Sequence, residues 1–440
     1  MKTDTWYGKI PDTWQVLTVE ELVKDNILFP PKDGNHGGIH PKGEDFVEDG
    51  IPFVMASDLV NGEVDYKNCK KITKKQAESL QKGFAIDGDI LLSHKATIGR
   101  TAVVKTDLEY ILLTPQVTYY RIKDPTKLTR LYLYCLFNSP RYQEILKVLA
   151  GGGSTRSYIG ITAQGKVPIL MPSVEEQRFI EAIYWCLDRK IENLRKQNET
   201  LEQIAQTLFQ HWFVDFEFPY DFAQGRPSAD GKPYKSSGGE MVPSELGEIP
   251  AGWRVEPLDN VAEFLNGLAL QKYPATDDDD FLPVIKIREM KSGVTGNTDR
   301  ASSNVPSQYI IDNGDVLFSW SGSLEIVIWC FGKGALNQHL FKVSSTRFPK
   351  WFYYLWTLEH LTHFRAIAKS KATTMGHIQR KHLSEALCYI PTEDQFQFMD
   401  AVMCPVLDKA IQNSLQIQTL TQTRDTLLPK LMSGKLRIKP

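Results

Sequence analysis

The chain contains one sequence pattern twice, and this internal repeat constrains its fold more than any other feature. Residues 10–14 (IPDTW) return as residues 249–253 (IPAGW), and residues 88–93 (GDILLS) return as residues 314–319 (GDVLFS). The spacing between matching points falls from 239 residues at the tryptophans to 226 at the Gly-Asp pairs. The two halves therefore share one architecture, and the globular part of the second half is the shorter one.

Each half continues into a long amphipathic helix. In residues 173–212 apolar side chains recur at heptad-like spacing, and Ser173 with Glu176 forms a capping-box signature. At about 1.5 Å per residue this helix is roughly 60 Å long. An isolated amphipathic helix leaves its apolar face in water, so we expect the two helices to pack together. The residues expected at this packing, and at docking of a partner, are Ile180, Ile183, Leu187, Ile191, Leu194, Leu201, Ile204 and Leu208 in the first helix, and Leu407, Ile411, Leu415, Leu420 and Leu427 in the second.

These patterns predict a mixed α+β protein with a pseudo-two-fold internal repeat. Two α/β domains are separated by two long antiparallel helices that resemble a coiled coil. Pro405 and Pro429 are expected to kink or end the second helix. The segment between the halves is rich in Pro, Gly and Ser and is predicted to be a linker. The expected parts are a first domain at 1–172, a first long helix at 173–212, a linker at 213–248, a second domain at 249–391, and a second long helix with a C-terminal tail at 392–440.

The composition predicts a cytoplasmic protein but does not indicate what it binds. There is no apolar run long enough for a transmembrane helix, and residues 1–6 lack the apolar core of a signal peptide. The six cysteines are scattered, which favours a reducing compartment and argues against a cysteine-based metal site. The net charge of −2 gives no sign of nucleic-acid binding. If the chain binds DNA, its basic residues must be concentrated locally, or a partner must neutralise phosphates too.

No catalytic signature is present. The chain lacks a phosphate-binding G-x-x-x-x-G-K-[ST] motif, an Asn-Pro-Pro-Tyr methyltransferase motif, an H-E-x-x-H zinc motif and a G-x-S-x-G nucleophile motif. The histidine pairs His36/His40 and His360/His363 have no accompanying ligand cluster, so no metal site is predicted. Two alternatives stay open at this point: a protein–protein scaffold built on a coiled-coil strut, and a fused enzyme whose active site is not recognised.

Equivalent loops of the two domains combine cationic, hydroxyl and aromatic side chains. Such residues suit contacts with phosphates and base edges, although solvated loops of no special function have the same composition. Gln116 and Gln338 also recur, either as base contacts or as amides that fix a turn. The candidates for DNA binding in the first domain are Lys95, Arg100, Arg156 and Tyr158, and those in the second are Ser321, Lys371, Thr374 and His377.

Several motifs in a fixed order resemble a known family. They include residues 209–216 (FQHWFVDF), 282–289 (LPVIKIRE), 335–338 (ALNQ), 374–378 (TMGHI) and 427–435 (LLPKLMSGK). Each motif alone is short, but their order and doubled arrangement resemble the specificity (S) subunit of Type I restriction–modification systems over essentially the whole chain. Lys286 and Arg288, which lie in the second of these motifs, join the candidates for DNA binding.

The resemblance implies a non-catalytic subunit that binds double-stranded DNA at a bipartite, asymmetric site. Each target-recognition domain would bind one half-site, and the paired helices would fix the spacing, about 34 Å for half-sites one turn apart. The helices would dock two modification (M) subunits, which bind S-adenosylmethionine and methylate adenine. Restriction (R) subunits would add ATP- and Mg-dependent translocation and cleavage. No cofactor is expected in this chain, and no membrane association.

The two domains differ where they are expected to contact DNA. Gly99 stands opposite Glu325, and residues 157–159 (SYI) replace the Met-Gly-His-Ile motif of the second domain. Such divergence is what the family implies for two half-sites of different sequence. It also means that no base-contacting residue can be transferred from one domain to the other by position in the sequence.

Overall fold

The computed structural model describes residues 5–36, 40–151, 158–275, 280–370 and 376–437. The chain forms two compact units, Met1–Glu192 with Leu420–Pro440, and Asn193–Thr419. The boundary crosses both long helices, so each unit contains one α/β module and one end of each helix. The unit boundaries therefore differ from the expected domain limits at 172 and 249, because each helix end packs with a module.

The first unit contains thirteen strands in its described residues and six helices that begin there. The strands are β1 (Gln15–Thr18), β2 (Lys32–Asp33), β3 (Phe46–Val47), β4 (Ile51–Val54), β5 (Leu59–Val60), β6 (Glu63–Val64), β7 (Lys70–Ile72), β8 (Phe84–Ala85), β9 (Ile90–Ser93), β10 (Thr101–Val103), β11 (Ile111–Leu113), β12 (Val117–Tyr120) and β13 (Pro168–Met171). The helices are α1 (Val19–Lys24), α2 (Lys74–Ser79), α3 (Arg130–Asn138), α4 (Pro140–Leu149), α5 (Ile161–Gly165) and the long α6 (Val174–Phe209).

The second unit repeats this order after a π-helical turn at Gln210–Val214. Its strands are β14 (Pro219–Asp221), β15 (Arg226–Pro227), β16 (Lys232–Pro233), β17 (Met241–Ser244), β18 (Gly247–Pro250), β19 (Arg254–Pro257), β20 (Glu263–Asn266), β21 (Phe281–Ile285), β22 (Arg300–Ser302), β23 (Ile310–Ile311), β24 (Val316–Ser319), β25 (Ile326–Ile328), β26 (Gly334–Leu336), β27 (Leu340–Ser344) and β28 (Leu387–Ile390). Its helices are α7 (Leu258–Val261), α8 (Ile287–Ser292), α9 (Lys350–Glu359), α10 (Leu361–Ser370), α11 (Arg380–Ser384) and the long α12 (Glu393–Met432).

The two modules have the same strand topology. One sheet has the order β10-β9-β12-β2 in the first module and β25-β24-β27-β20 in the second. A second sheet contains β7-β4-β11-β8 and β22-β21-β26-β23, with a parallel pair at its centre in both cases. The first module has in addition the edge strand β3 and the pair β5–β6. The predicted repeat is therefore confirmed as one architecture built twice.

Each module is closed by pairing of its first and last strands. β1 pairs antiparallel with β13, and β19 pairs antiparallel with β28. Beside each pair a buried tryptophan reaches the first turn of the long helix that follows. Trp14 Nε1 donates to Glu176 Oε2 at 2.8 Å, and Trp253 Nε1 donates to Gln395 Oε1 at 2.5 Å. These contacts fix where each long helix leaves its module.

The two long helices run antiparallel in both units. In the first unit Arg424 Nη1 donates to Asp188 Oδ1 at 3.0 Å, and Arg437 Nε, just beyond α12, donates to Glu176 Oε1 at 2.6 Å. In the second unit Asn198 Nδ2 donates to the Ala410 carbonyl and to Ser414 Oγ. Residue numbers rise along α6 as they fall along α12, which confirms the expected direction. α12 also continues through Pro405 and Pro429, which were expected to kink or end it.

Most of the apolar stripe is buried or partly buried, with one exception. Ile180, Ile191 and Leu194 are at most 2% exposed. Ile204 is 42% exposed, whereas Ala205 and Phe209 are buried among the side chains of the second module. The buried face of α6 therefore shifts by one residue near its C-terminal end, because the helix packs there against a sheet and helices as well as against α12. Ile204 is not part of the described helix packing.

Residues 213–248, expected to form a linker, are folded in the structure. They form a three-stranded sheet, β15-β14-β16, and the β17–β18 hairpin. Phe218 is fully buried, and its ring stacks on Trp253 and on Tyr234, with centroid distances of 5.5 Å and 4.6 Å. Gly225 and Gly238 lie in turns of this segment at positive φ, whereas its prolines lie within the short strands. Its aromatic residues anchor it to the second module.

Truncation of one buried stripe residue tests the helix packing. Ile191→Ala removes a side chain that is 1% exposed, and we expect it to destabilise the protein by about 2–5 kcal/mol. Ile204→Ala on the same helix is the matched control, with an expected change within about 0.5 kcal/mol. Urea unfolding followed by circular dichroism measures both. Equal losses would show that the two positions are buried alike.

The loss of stability as pH falls tests the contact between Trp14, Glu176 and Arg437. Burial alone would raise the pKa of Glu176, but hydrogen bonds from Arg437 and Trp14 lower it below the usual 4.5. The ionised carboxylate therefore stabilises the fold above about pH 4.5, and this contribution is lost as pH falls through the lowered pKa. Glu176→Gln, which copies Gln395 of the second module, should flatten the fall in urea midpoint between about pH 5 and about pH 3.

The neighbouring, exposed Glu175 provides the control for this pH experiment. Glu175→Gln should show the same fall in urea midpoint at low pH as the unmodified protein, since the side chain of Glu175 lacks the tryptophan and arginine contacts of Glu176. If both variants followed the unmodified chain at every pH, Glu176 would not be the source of the acid sensitivity.

Candidate nucleic-acid interface

Two of the loops singled out in the sequence lie together in each module. Lys95, just after β9, forms an antiparallel bridge with Tyr158, and Ser321, just after β24, forms the same bridge with His377. Each bridge is extended by one backbone hydrogen bond of 3.0 Å, from Ile159 N to the His94 carbonyl and from Ile378 N to the Trp320 carbonyl. The loops that were expected to be equivalent therefore form the same backbone contacts in the two modules.

In both modules a third loop is hydrogen-bonded to the loop that follows β9 or β24. His94 N donates to the Gln116 carbonyl at 2.9 Å, and Trp320 N donates to the His339 carbonyl at 3.3 Å. Gln116 therefore corresponds to His339, and the pairing of Gln116 with Gln338 expected from the sequence is off by one residue. The cause is the changing spacing of the repeat, which only the strand register resolves.

The neighbouring strands complete the correspondence. Thr118 pairs with Asp33, and its counterpart Phe341 pairs with Asn266. Ser93 N donates to the Arg100 carbonyl, and Ser319 N donates to the Glu325 carbonyl. Arg100 is therefore the residue equivalent to Glu325, and the expectation that Gly99 is equivalent to Glu325 was wrong. We call the resulting set, including the buried side chains that support it, the strand-end surface of each module: Asp33, His94, Lys95, Arg100, Gln116 and Tyr158 in the first, and Asn266, Trp320, Ser321, Glu325, His339 and His377 in the second.

The strand-end surface of the first module is built on a buried ion cluster. Asp33 is 2% exposed and accepts hydrogen bonds from Lys82 Nζ at 2.5 Å and from His36 Nε2 at 2.7 Å. Burial would raise the pKa of Asp33, but these two hydrogen bonds lower it overall, so the carboxylate stays ionised at neutral pH. This cluster could not be recognised from the sequence, because Lys82 lies 49 residues from Asp33 along the chain.

His94 lies beneath the exposed loop and is fully buried. Its Nδ1 is 3.0 Å from the Ile159 carbonyl, which can only accept, so Nδ1 carries the proton. Burial is the main cause of the lowered pKa of His94, which favours the neutral ring. The ring centroid is 5.6 Å from that of Tyr158. His94 thus supports the bridge between Lys95 and Tyr158 from below.

Lys95 and Gln116 open into a polar cavity of about 310 Å³. Lys95 Nζ is 5.9 Å from the centroid of the Tyr158 ring, and that tyrosine is 45% exposed. Within the described part of the chain, the buried atoms Thr114 Oγ1 and His40 Nδ1 have no hydrogen-bond partner. The cavity is lined by His36, His40, Met55, Lys95, Thr114, Pro115 and Gln116.

The second module places different chemistry on the same scaffold. Ser321 is 5% exposed, and its Oγ lies 3.0 Å from His339 Nδ1. Trp320 Nε1 donates to Asn266 Oδ1 at 3.0 Å and to the Gln338 carbonyl at 3.2 Å. The Trp320 ring lies 5.8 Å from the His339 ring and 6.3 Å from the His377 ring. Its strand-end surface is therefore aromatic and imidazole-rich where that of the first module is cationic.

The remaining basic candidates have structural partners. Arg100 donates to the carbonyls of Ala56 and Ser57 at 3.2 Å and 3.4 Å. Lys286 pairs with Asp299, and Arg288 pairs with Glu289 at 2.7 Å. A role of these three residues in DNA binding stays a prediction. Arg156, Lys371 and Thr374 lie outside the described residues.

The described residues contain no group of three or more His, Cys, Asp or Glu side chains arranged to hold a metal ion. None of their helices combines the length and apolar character needed to cross a membrane.

The comparisons with known proteins identify the class to which this fold and its doubled surface belong. The family model described as the Type I restriction modification DNA specificity domain matches residues 11–203 and again residues 250–418. The chain therefore belongs to this family, and each of its halves carries one such domain. The resemblance inferred from the motifs is confirmed.

Individual relatives cover the chain almost completely. The specificity subunit of the Type I restriction enzyme MjaIX from Methanocaldococcus jannaschii is 28% identical over 450 residues, which cover 99% of this chain and 96% of that protein. The HindI specificity subunit from Haemophilus influenzae is 23% identical, over 88% of this chain and 94% of that protein. The crystal structure of the Type I S subunit from M. genitalium has the same fold, with a TM-score of 0.56, 16% identity, and coverage of 97% of this chain and 98% of that one.

The buried ion cluster of the first strand-end surface can be tested by one substitution. Asp33→Asn, the residue type at the equivalent position 266, leaves the Lys82 ammonium without its carboxylate. We expect a loss of about 1–3 kcal/mol in the free energy of unfolding. The control is Asp49→Asn, since Asp49 is fully exposed and lies 3.9 Å from Lys71; its expected change is within about 0.5 kcal/mol. A loss no larger than that of the control would contradict the structural role of Asp33.

Proposed function

We propose that the chain is the DNA-recognition subunit of a Type I restriction–modification complex and binds a bipartite, asymmetric DNA site. One observation carries this proposal. The same strand-end surface occurs twice on one scaffold, with side chains that differ at every one of its six positions. A repeated scaffold provides the same mode of approach to a duplex, and different side chains provide different base preferences. Each module therefore binds its own half-site.

The long helices provide the second element of the proposal. They pair antiparallel within each unit, and we assign to them the spacing between the two half-sites. Their exposed faces are largely polar, with many charged residues on α6 and mostly Gln and Thr between residues 411 and 423 of α12. We assign to these faces the docking of M subunits, two in number, and through them of R subunits. S-adenosylmethionine, ATP and Mg²⁺ belong to those subunits, and this chain performs no chemistry of its own. The complex acts in the cytoplasm, where the chromosome is accessible.

The charge of the chain agrees with shared DNA binding. A protein that neutralises many phosphates alone is usually basic, whereas this chain has a net charge of −2. Lys95 and Arg100 concentrate positive charge on the first strand-end surface, and partner subunits supply the rest of the contacts to phosphates. The purified chain is accordingly expected to bind DNA weakly, and the assembled complex tightly.

Mapping of methylated adenines tests the proposal directly. Genomic DNA from the host is compared with DNA from a strain that lacks this gene but retains the M subunit. We expect one bipartite motif, with two specified halves and an unspecified spacer, to be methylated only when this chain is present. Methylation that is unchanged by the deletion would contradict the proposal. A binding assay in which DNA fails to compete with a protein ligand would favour a scaffold.

A second experiment addresses catalysis. The purified chain is incubated with S-adenosylmethionine, or with Mg²⁺ and plasmid DNA, in the absence of other subunits. We expect neither methyl transfer nor cleavage, and both activities only after addition of the partner subunits. Activity of the chain alone would indicate a fused enzyme.

A further inference from the structure

We propose that Lys95 determines the base preference of the first module at one position, where its ammonium group donates to the major-groove edge of a guanine. This inference rests on the proposed function and assigns a residue and a base to one of the two half-sites.

The first argument is that Lys95 is available while the other described basic candidates are engaged. Arg100 donates to two backbone carbonyls, and Lys286 and Arg288 pair with carboxylates. Lys95 is exposed, and no carboxylate of the described residues lies in salt-bridge range of its ammonium. Binding DNA at Lys95 therefore breaks no existing ion pair.

The second argument is that the backbone of Lys95 is held in place. Its bridge to Tyr158 and the hydrogen bonds of His94 to Gln116 and Ile159 join three loops at one point. Ala96, the next residue, has a φ of 64°, so the chain turns sharply immediately after Lys95. The ammonium also lies beside the Tyr158 ring, at a distance suited to a cation–π contact. A positioned donor discriminates between bases better than a mobile one.

The third argument is the hydrogen-bonding character of the cavity that Lys95 faces. Lys95 has three donors and no acceptor, the Thr114 hydroxyl is buried without a partner in the described residues, and Gln116 adds an amide. Guanine offers two acceptors, N7 and O6, on its major-groove edge. Adenine offers one acceptor, N7, beside an amino donor, thymine offers one acceptor, O4, and cytosine presents an amino donor. An ammonium group, which can only donate, therefore makes two hydrogen bonds to guanine and at most one to adenine or thymine.

The fourth argument is the contrast with the second module. Ser321 occupies the position of Lys95, but it is 5% exposed and its hydroxyl is engaged by His339. Glu325, which stands opposite Arg100, pairs with Lys291 and Arg365. The second module thus lacks a free ammonium group at this point of its described surface. A change at Lys95 should alter only one of the two half-sites.

The test uses the assembled complex and the methylation motif that it produces. Lys95→Met keeps the length of the side chain and removes the charge, and Lys95→Arg keeps a donor that suits guanine. We expect the methionine variant to relax one G·C position of one half-site, with a loss of discrimination of roughly 10- to 100-fold. The arginine variant should retain that position. Lys74→Met, at an exposed lysine on α2, should leave the motif unchanged.

The outcomes separate this inference from the proposed function. If the unmodified chain directs methylation to a bipartite motif and Lys95→Met leaves every position of that motif intact, Lys95 does not select a base. If the unmodified chain directs no motif at all, the proposed function itself is wrong.

A second measurement tests the inference even if the Lys95→Met variant does not assemble with its partner subunits. Electrophoretic shift assays with the unmodified complex use duplexes in which 7-deazaguanine replaces one guanine of the mapped site at a time. We expect replacement of one guanine in one half-site to weaken binding, because the N7 acceptor is lost. Where the Lys95→Met complex forms, the same replacement should have no effect on its binding. Full binding at every replaced guanine would overturn the inference.

Discussion

Pairing of the first strand with the last is the interaction on which each module depends. β1 with β13, and β19 with β28, bring the two ends of a module together beside a buried tryptophan that contacts the next long helix. The residues of the strand-end surface lie between those strands in sequence and take no part in these contacts. The fold therefore separates a constant frame, which positions the helices, from loops that are free to diverge.

The features that could be predicted from sequence are those encoded locally. Ser173 and Glu176 form the expected capping box, with two reciprocal hydrogen bonds of 3.3 Å. The repeat of Gly88-Asp89 as Gly314-Asp315 marks the same turn before β9 and β24, with φ values of 87° and 89° at the glycines. Helix periodicity and turn residues act within a few positions of the chain, so one sequence is sufficient to detect them.

The features that were missed depend on contacts between distant residues. Burial of Phe218 against Trp253 folds a segment whose composition indicates a linker, and packing of α6 on the second module exposes Ile204 instead of Ala205. The correspondence of Gln116 with His339 follows from strand register, which loop lengths obscure in the sequence. The cluster of Asp33, His36 and Lys82 is likewise assembled by the fold. The loops that form the candidate surface could thus be predicted from the sequence. Which residue of one module corresponds to which residue of the other could not.

The central claim is that each module, as a closed unit, selects one half of a split DNA site. It is tested most directly by a graft in which residues 19–167 replace residues 258–386, so that β19 and β28 frame a copy of the first module. The methylation motif of the complex with this chain is then mapped. The account predicts an inverted repeat of a single half-site, with the second half-site lost. A motif that retains the original second half would contradict it.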